Sequence, residues 1–401
     1  MRDFWEKLKA YIRKSASVTV QIGQTTVSRL TFIGVALGIL AAGIFVLVYM
    51  VYGNREVALR YERTDIDPGQ SYRVNDGMLF YETPQYYVSI DPSKTNRVSL
   101  AEVRVTADGY DMSSAATVVF VGSSGQIVGP NGVQNEFVMN DGAEILSARA
   151  GRRHAALLYR NQYGDMRISI MNALTETPEV TATVAITGGE VVAFGFLQAS
   201  NTVEYLWVST LDVNQFSEES IVRVYNCDSN GAMIFYSASL YNQTIENAIL
   251  TGNCLYLVGT QDILRYDRTE GGFSSERARV SIYGSRVVDC VEAADGASAY
   301  FILMPITQAG EQTHIYRLLT VSQSDEAWAT VLQQFMSAPI VAAFLQNNYV
   351  NVVTTETFEQ YSYAGKQALS LEFEDTPTGA IPYEGAFLLM TDTAVYRTTV
   401  E

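Results

Sequence analysis

The sequence predicts an all-β protein, a β-propeller of eight blades with seven as the alternative, preceded by one transmembrane helix and a short amphipathic N-terminal helix. Three observations predict it. Beyond residue 57 apolar and polar side chains alternate, Val, Ile, Thr, Tyr and Phe are dense, and the runs end in Asn, Asp, Gly or Ser turns. A strand, a Thr, a tight turn and a second strand recur there in units of roughly 40–45 residues, the length of a propeller blade. One stretch, Leu30–Tyr52, is uncharged and nearly all apolar.

Residues 1–29 form the first element, a basic segment. It carries Arg2, Lys7, Lys9, Arg13, Lys14 and Arg29 against Asp3 and Glu6. On a helical wheel Phe4, Trp5, Leu8, Tyr11 and Ile12 share an arc of roughly 120°, with Lys7, Lys9, Arg13 and Lys14 on the rest. Such a helix suits the surface of an anionic lipid bilayer, aromatics inward and bases at the headgroups. Within 16–28 the alternation of Val18, Val20 and Ile22 has no assigned role.

The second element is the run 30–52. As a helix it rises about 34 Å, enough to cross a hydrocarbon core of about 30 Å. Tyr49 and Tyr52 lie at its far end, where amphipathic rings favour the interface. A cleaved signal peptide would have a shorter apolar region and a small-residue cleavage site, so an uncleaved signal anchor is expected. The bases before it place the N-terminus in the cytoplasm and the rest of the chain outside a cell membrane. Residues 53–56 are a short linker.

The third element is the propeller, 57–401. Its hairpins read MLFYET–PQ–YYVSID (Thr83), LYLVGT–QD–ILRYD (Thr260), VNVVT–TE–TFEQYSY (Thr354) and FLLMT–DT–AVYRTT (Thr391). Each has a strand rich in small and aliphatic residues before it and a more amphipathic one after it, giving four antiparallel strands, A to D. Units begin near Ser71, Tyr110, Glu144, Val191, Ile245, Ser285, Pro339 and Thr378. The last unit has three strands, and 57–65 is expected to supply its fourth and close the ring, removing the sheet edges an open array would leave. A pair of β-sandwiches is the competing arrangement. In four-stranded units the A–B and C–D turns fall on one face and the B–C and D–A connections on the other. The short linker puts the A–B face near the bilayer, so ligands are expected at the B–C/D–A face.

Of the 401 residues 48% are hydrophobic and 17% charged, which excludes a disordered or collagenous chain. The net charge of −16 excludes nucleic acid as a partner. Catalytic patterns are sparse. His154 sits near an A–B turn and His314 begins a strand in another unit, without zinc-ligand spacing. Cys227, Cys254 and Cys290 read as buried small hydrophobes in separate units. Asn226, Asp228 and Asn230 imitate the start of a calcium loop, but Ser237 stands where a bidentate carboxylate is needed, and a C–D turn explains the same residues. Glu218–Glu219 and Glu372, Glu374 and Asp375 read as solvated turns and strand faces. No cofactor and no catalytic residue is expected.

A basic cytoplasmic segment, one signal anchor and a repeat domain without catalytic signature resembles the single-pass, membrane-anchored, β-propeller-like domain-of-unknown-function proteins of Gram-positive bacteria. More distantly the chain resembles quinoprotein-like and WD40-like repeat propellers. It departs from the latter in lacking Trp-Asp pairs at Trp5, Trp207 and Trp328, and from the former in lacking tryptophan-docking repeats. The expected function is binding or scaffolding of a protein or glycan of the cell envelope. The alternative is an envelope carbohydrate-active hydrolase or lyase with carboxylates converging at the channel.

Overall fold

The computed structural model describes the strands at 19–22 and 25–28 and, between 57 and 400, the strands and most of their connections. Outside the described residues lie 1–18, 29–56, 83–86, 91–97, 102–106, 129–133, 174–179, 228–232, 293–298, 322–328 and several shorter connections. The chain divides into two compact units, 1–58 with 401, and 59–400. In the first, Thr19–Ile22 pairs antiparallel with Thr25–Ser28, Val20 opposite Val27. The alternation of Val20 and Ile22, left without a role by the sequence, is therefore that of a hairpin strand.

Every regular element described in the second unit is a strand. These strands form eight four-stranded antiparallel sheets. Their A strands begin at Tyr72, Gly109, Glu144, Glu190, Ile245, Ser285, Ile340 and Gly379. Seven sheets are built from four consecutive strands. In the eighth the order is Leu59–Arg63, Val395–Val400, Ala386–Met390, Gly379–Tyr383. Leu59 lies opposite Val400 and Arg63 opposite Tyr396, so this sheet draws strands from both ends of the unit.

Neighbouring sheets pack face to face. A strands touch from the second sheet to the third, fourth and fifth in turn, from the sixth to the seventh and eighth, and from the eighth to the first. The fifth and sixth share a core that includes Tyr256, Ile263, Phe301 and Leu319. The strand His154–Arg160 shows how the sequence serves this packing. Ala155 and Leu157 enter a core with Val118, Phe120 and Ile127 of the second sheet. Ala156 and Leu158 enter another with Phe194, Leu206 and Val208 of the fourth. Both faces of a B strand are thus buried, which is why these strands read as continuous apolar runs rather than as alternation. Burying one such leucine contributes about 1.5–3 kcal/mol.

Two local devices recur. Five consecutive A strands, those of the third to the seventh sheets, carry a bulge at the same place, between Ile145 and Ser147, Val191 and Ala193, Ile245 and Asn247, Val287 and Asp289, and Ile340 and Ala342. A bulge increases local twist, as crowded inner strands require. The B–C turns use threonine. The hydroxyl of buried Thr391 accepts from the N–H groups of Thr393 and Ala394 and donates to the carbonyl of Ala394. Thr354 does the same for Glu356 and Thr357. This is why Thr precedes those turns in the repeat.

Candidate functional site

Several residues singled out by the sequence lie outside the described residues: Phe4, Trp5, Lys7, Leu8, Lys9, Tyr11, Ile12, Arg13 and Lys14, the apolar run 30–52, and Asp228 and Asn230. Among the described residues no helix is long and apolar enough to cross a membrane. Asn226 ends the strand Glu218–Asn226, and Cys227 follows it. No group of three or more His, Cys, Asp or Glu gathers among the described residues as a metal site would. All three cysteines are free thiols, Cys227 and Cys254 buried and Cys290 half-buried.

A cavity of about 420 Å³ lies toward the A–B turns of the second to fifth sheets. Its walls include Asp111, Arg149, Phe194, Phe196, Glu204 and Trp207. Glu204 opens the strand Glu204–Val213 and His154 opens the strand His154–Arg160, equivalent positions in adjacent sheets. The turn before His154 wraps the Glu204 carboxylate. Arg152 N–H donates to Oε1 at 2.8 Å, and the N–H groups of Arg153 and His154 donate to Oε2 at 3.2 and 3.1 Å. His154 Nδ1 lies 3.0 Å from the same Oε2 and carries the proton there, because a carboxylate only accepts. Glu204 is 1% exposed. A Cβ at Gly151 would stand 2.5 Å from Oε1, so glycine is what lets the turn close on the carboxylate. Asp111 Oδ2 likewise accepts from Ala150 N–H at 2.8 Å. Both carboxylates in the wall thus hold backbone of the third sheet.

Arg149 is arranged differently. Its Nε donates to the Phe194 carbonyl at 3.2 Å and its Nη1 to the Ala148 carbonyl at 2.8 Å. The guanidinium lies 5.1 Å over the Phe194 ring.

A second polar position faces the inner strands of the sixth and seventh sheets. Asp289, immediately after the bulge, accepts from Leu345 N–H at 2.6 Å and from Cys290 N–H at 2.8 Å. Burial pushes its carboxyl above the ordinary range, with these two N–H groups opposing the rise. Burial, and next to it the Asp289 charge, pushes the Cys290 thiol up to about 12.

The opposite face carries the most exposed large apolar side chains among the described residues. Tyr163, Val213, Tyr241, Tyr283, Ile306 and Phe335 are between 59% and 80% exposed, and all lie at B–C turns or D–A connections. The exposed large apolar residues of the A–B/C–D face, Val180, Val291 and Val400, reach only 51%. Tyr283 and Ile306 are brought together by the Ile306 N–H bond to the Gly284 carbonyl at 3.0 Å.

No protein-family profile matches the chain, and no curated protein sequence matches it. Solved structures do. Saccharomyces cerevisiae Sqt1 superposes with a TM-score of 0.51 at 9% identity, over 85% of this chain and 98% of that one. The WD40 domain of SCAP from fission yeast gives 0.51 at 10% identity, over 85% and 98%. BamB from Moraxella catarrhalis gives 0.47 at 8% identity, over 85% and 99%. The fold is that of a β-propeller.

Of the residues that build the Glu204 clasp, the sequence singled out His154 alone, as a turn residue. The signal for its partner was present: 154 and 204 occupy the same position in successive repeats. The exposed apolar residues of that face were missed because they end strands (Val213, Tyr241, Phe335) or lie in the connections between them (Tyr163, Tyr283, Ile306), where a lone Tyr or Ile reads as part of a turn.

Proposed function

We propose that this chain is a membrane-anchored, extracytoplasmic, eight-bladed propeller that docks a protein of the cell envelope on its B–C/D–A face. The observation that carries the reading is the set of exposed apolar side chains on that face, with Tyr163, Tyr241, Tyr283 and Phe335 prominent. Scattered exposed apolar residues are ordinary on a protein surface, but a one-sided distribution rich in aromatics matches the composition of interaction surfaces. The contact of the eighth sheet with the first supports a ring of eight. The apolar run 30–52, with a net +4 before it, supports a single span with its N-terminus in the cytoplasm. The side chains Phe4, Trp5, Leu8, Tyr11 and Ile12 would then lie at the inner leaflet.

The test is photo-crosslinking in intact cells expressing the full chain. A crosslinking residue at Tyr283 or Phe335 is expected to capture a discrete protein, whereas Val180 or Val400 is not. Equal capture from both faces, or none from Tyr283 and Phe335, overturns the docking reading. An impermeant maleimide should label Tyr163→Cys on the same cells; labelling only after lysis overturns the topology.

A further inference from the structure

We propose that the cavity between the second and fifth sheets binds a small organic anion, a carboxylate or phosphate on an apolar body, through Arg149 and the indole N–H of Trp207.

The two donors carry the argument. Arg149 meets only carbonyl and hydroxyl oxygens and the Phe194 ring, and no carboxylate among the described residues stands within ion-pair distance. A half-buried guanidinium is a strong donor with a fixed fork, and it is ordinarily answered by an anion. The contacts to Phe194 and Ala148 engage Nε and Nη1 and fix its plane, leaving Nη2 for another acceptor. Trp207 is 4% exposed and lines the same cavity. Its N–H has no hydrogen-bond partner among the described residues and is reached by solvent rather than sealed in the core, so an acceptor bound in the cavity can meet it. A Cβ at Gly195 would lie 3.1 Å from Nε1, so a larger residue there would crowd this N–H.

The acids in the wall do not answer these donors. The Glu204 carboxylate accepts from three backbone N–H groups and His154, and Asp111 accepts from Ala150. Phe194 and Phe196 give the rest of the wall an aromatic face for an apolar body. A volume of about 420 Å³ falls within the usual range for small-molecule sites. This site lies on the face opposite the proposed protein-docking surface and stands independently of it.

The experiment uses the full chain with Trp5→Phe and Trp328→Phe, so that Trp207 is the only indole reporter. Benzoate and phenyl phosphate are titrated against its fluorescence, with benzyl alcohol as the neutral probe. A saturable change is expected with at least one anion, weakened tenfold or more in Arg149→Gln and less in Arg149→Lys. The stronger of the two anions identifies the headgroup as carboxylate or phosphate. Absence of saturation with both anions, equal affinity for benzyl alcohol, or equal affinity in Arg149→Gln overturns the proposal. If Arg149→Gln does not fold, judged by circular dichroism, Arg149→Lys decides: anion binding that is weakened yet still tighter than that of benzyl alcohol supports the proposal, and unchanged affinity for both anions, or binding that benzyl alcohol matches, overturns it.

Discussion

Replacing Glu204 by Ala removes the acceptor of three backbone N–H groups and of His154 Nδ1 at once. Each buried donor left unsatisfied costs about 1–3 kcal/mol, toward the lower end here because the adjoining cavity admits water. With four donors affected, the loss is expected to be on the order of 4 kcal/mol. Glu204→Gln separates shape from charge. Its carbonyl can serve the three donors at the Oε2 position, but its amide then meets Arg152 N–H, donor against donor. About 1–3 kcal/mol is expected, a single charge-assisted bond with its geometry otherwise intact.

Urea unfolding of the purified full chain measures these values, and each kcal/mol corresponds to about 2 °C or somewhat less in Tm for a unit of this size. Gly151→Ala provides the steric control, since its Cβ would stand 2.5 Å from Oε1. It should lower stability in wild type and much less in Glu204→Ala, where the obstacle is gone. Stability of Glu204→Ala within about 0.5 kcal/mol of wild type, the size expected for an unremarkable surface change, would refute the reasoning.

Three further outcomes follow from the geometry. Because the folded carboxyl of Asp289 is raised by burial, its stabilisation is complete below the ordinary Asp value of about 3.9 and is lost as pH rises through the folded value; Asp289→Asn should flatten that decline in urea titrations, and an unchanged slope would count against it. With its pKa near 12, Cys290 holds on the order of 1,000-fold less thiolate at pH 8 than a free cysteine, so alkylation should be that much slower in the folded chain than in urea, and comparable rates would contradict the assignment. Thr391→Val deletes the acceptor for Thr393 and Ala394 N–H and should cost about 1–2 kcal/mol, with faster hydrogen exchange at Ala394 and not at Glu356.

What could be read from the sequence was local. The turns after Thr260, Thr354 and Thr391 announce themselves by a short polar pair between apolar runs, and those strands pair as hairpins. The same pattern placed unit starts at Glu144, Ile245 and Ser285, where A strands begin. The Glu204 clasp could not be read that way, because its parts are separated by a whole repeat and its main donors are backbone N–H groups, which carry no residue identity. Arg149 and Trp207 come from different sheets, and only the packing of the third on the fourth brings them to one cavity. Gly151 and Gly195 gave no signal at all; their meaning lies in what a Cβ would touch.

The two faces of the unit differ in how their polar groups are used. On the A–B side, side chains bond across sheet boundaries: Ser113 Oγ to the Gly151 carbonyl at 2.7 Å, Glu204 to the preceding sheet's turn, Gly252 N–H to Glu292 at 3.1 Å, and Gln346 Nε2 to the Ala386 carbonyl at 3.0 Å. These bonds fix neighbouring sheets relative to one another and leave that face largely without exposed apolar side chains. The other face carries Tyr163, Tyr241, Tyr283 and Phe335 on connections anchored by those same sheets. Aromatics on a rigid frame lose little conformational freedom when a partner covers them, which favours association. Loosening the clasp with Glu204→Ala should therefore weaken capture at Tyr241, which ends the outer strand of the fourth sheet, while Phe335 on the sixth sheet keeps its crosslink. Equal loss at both positions would mean that the sheets respond as one body and that the clasp has no local role in presenting this face.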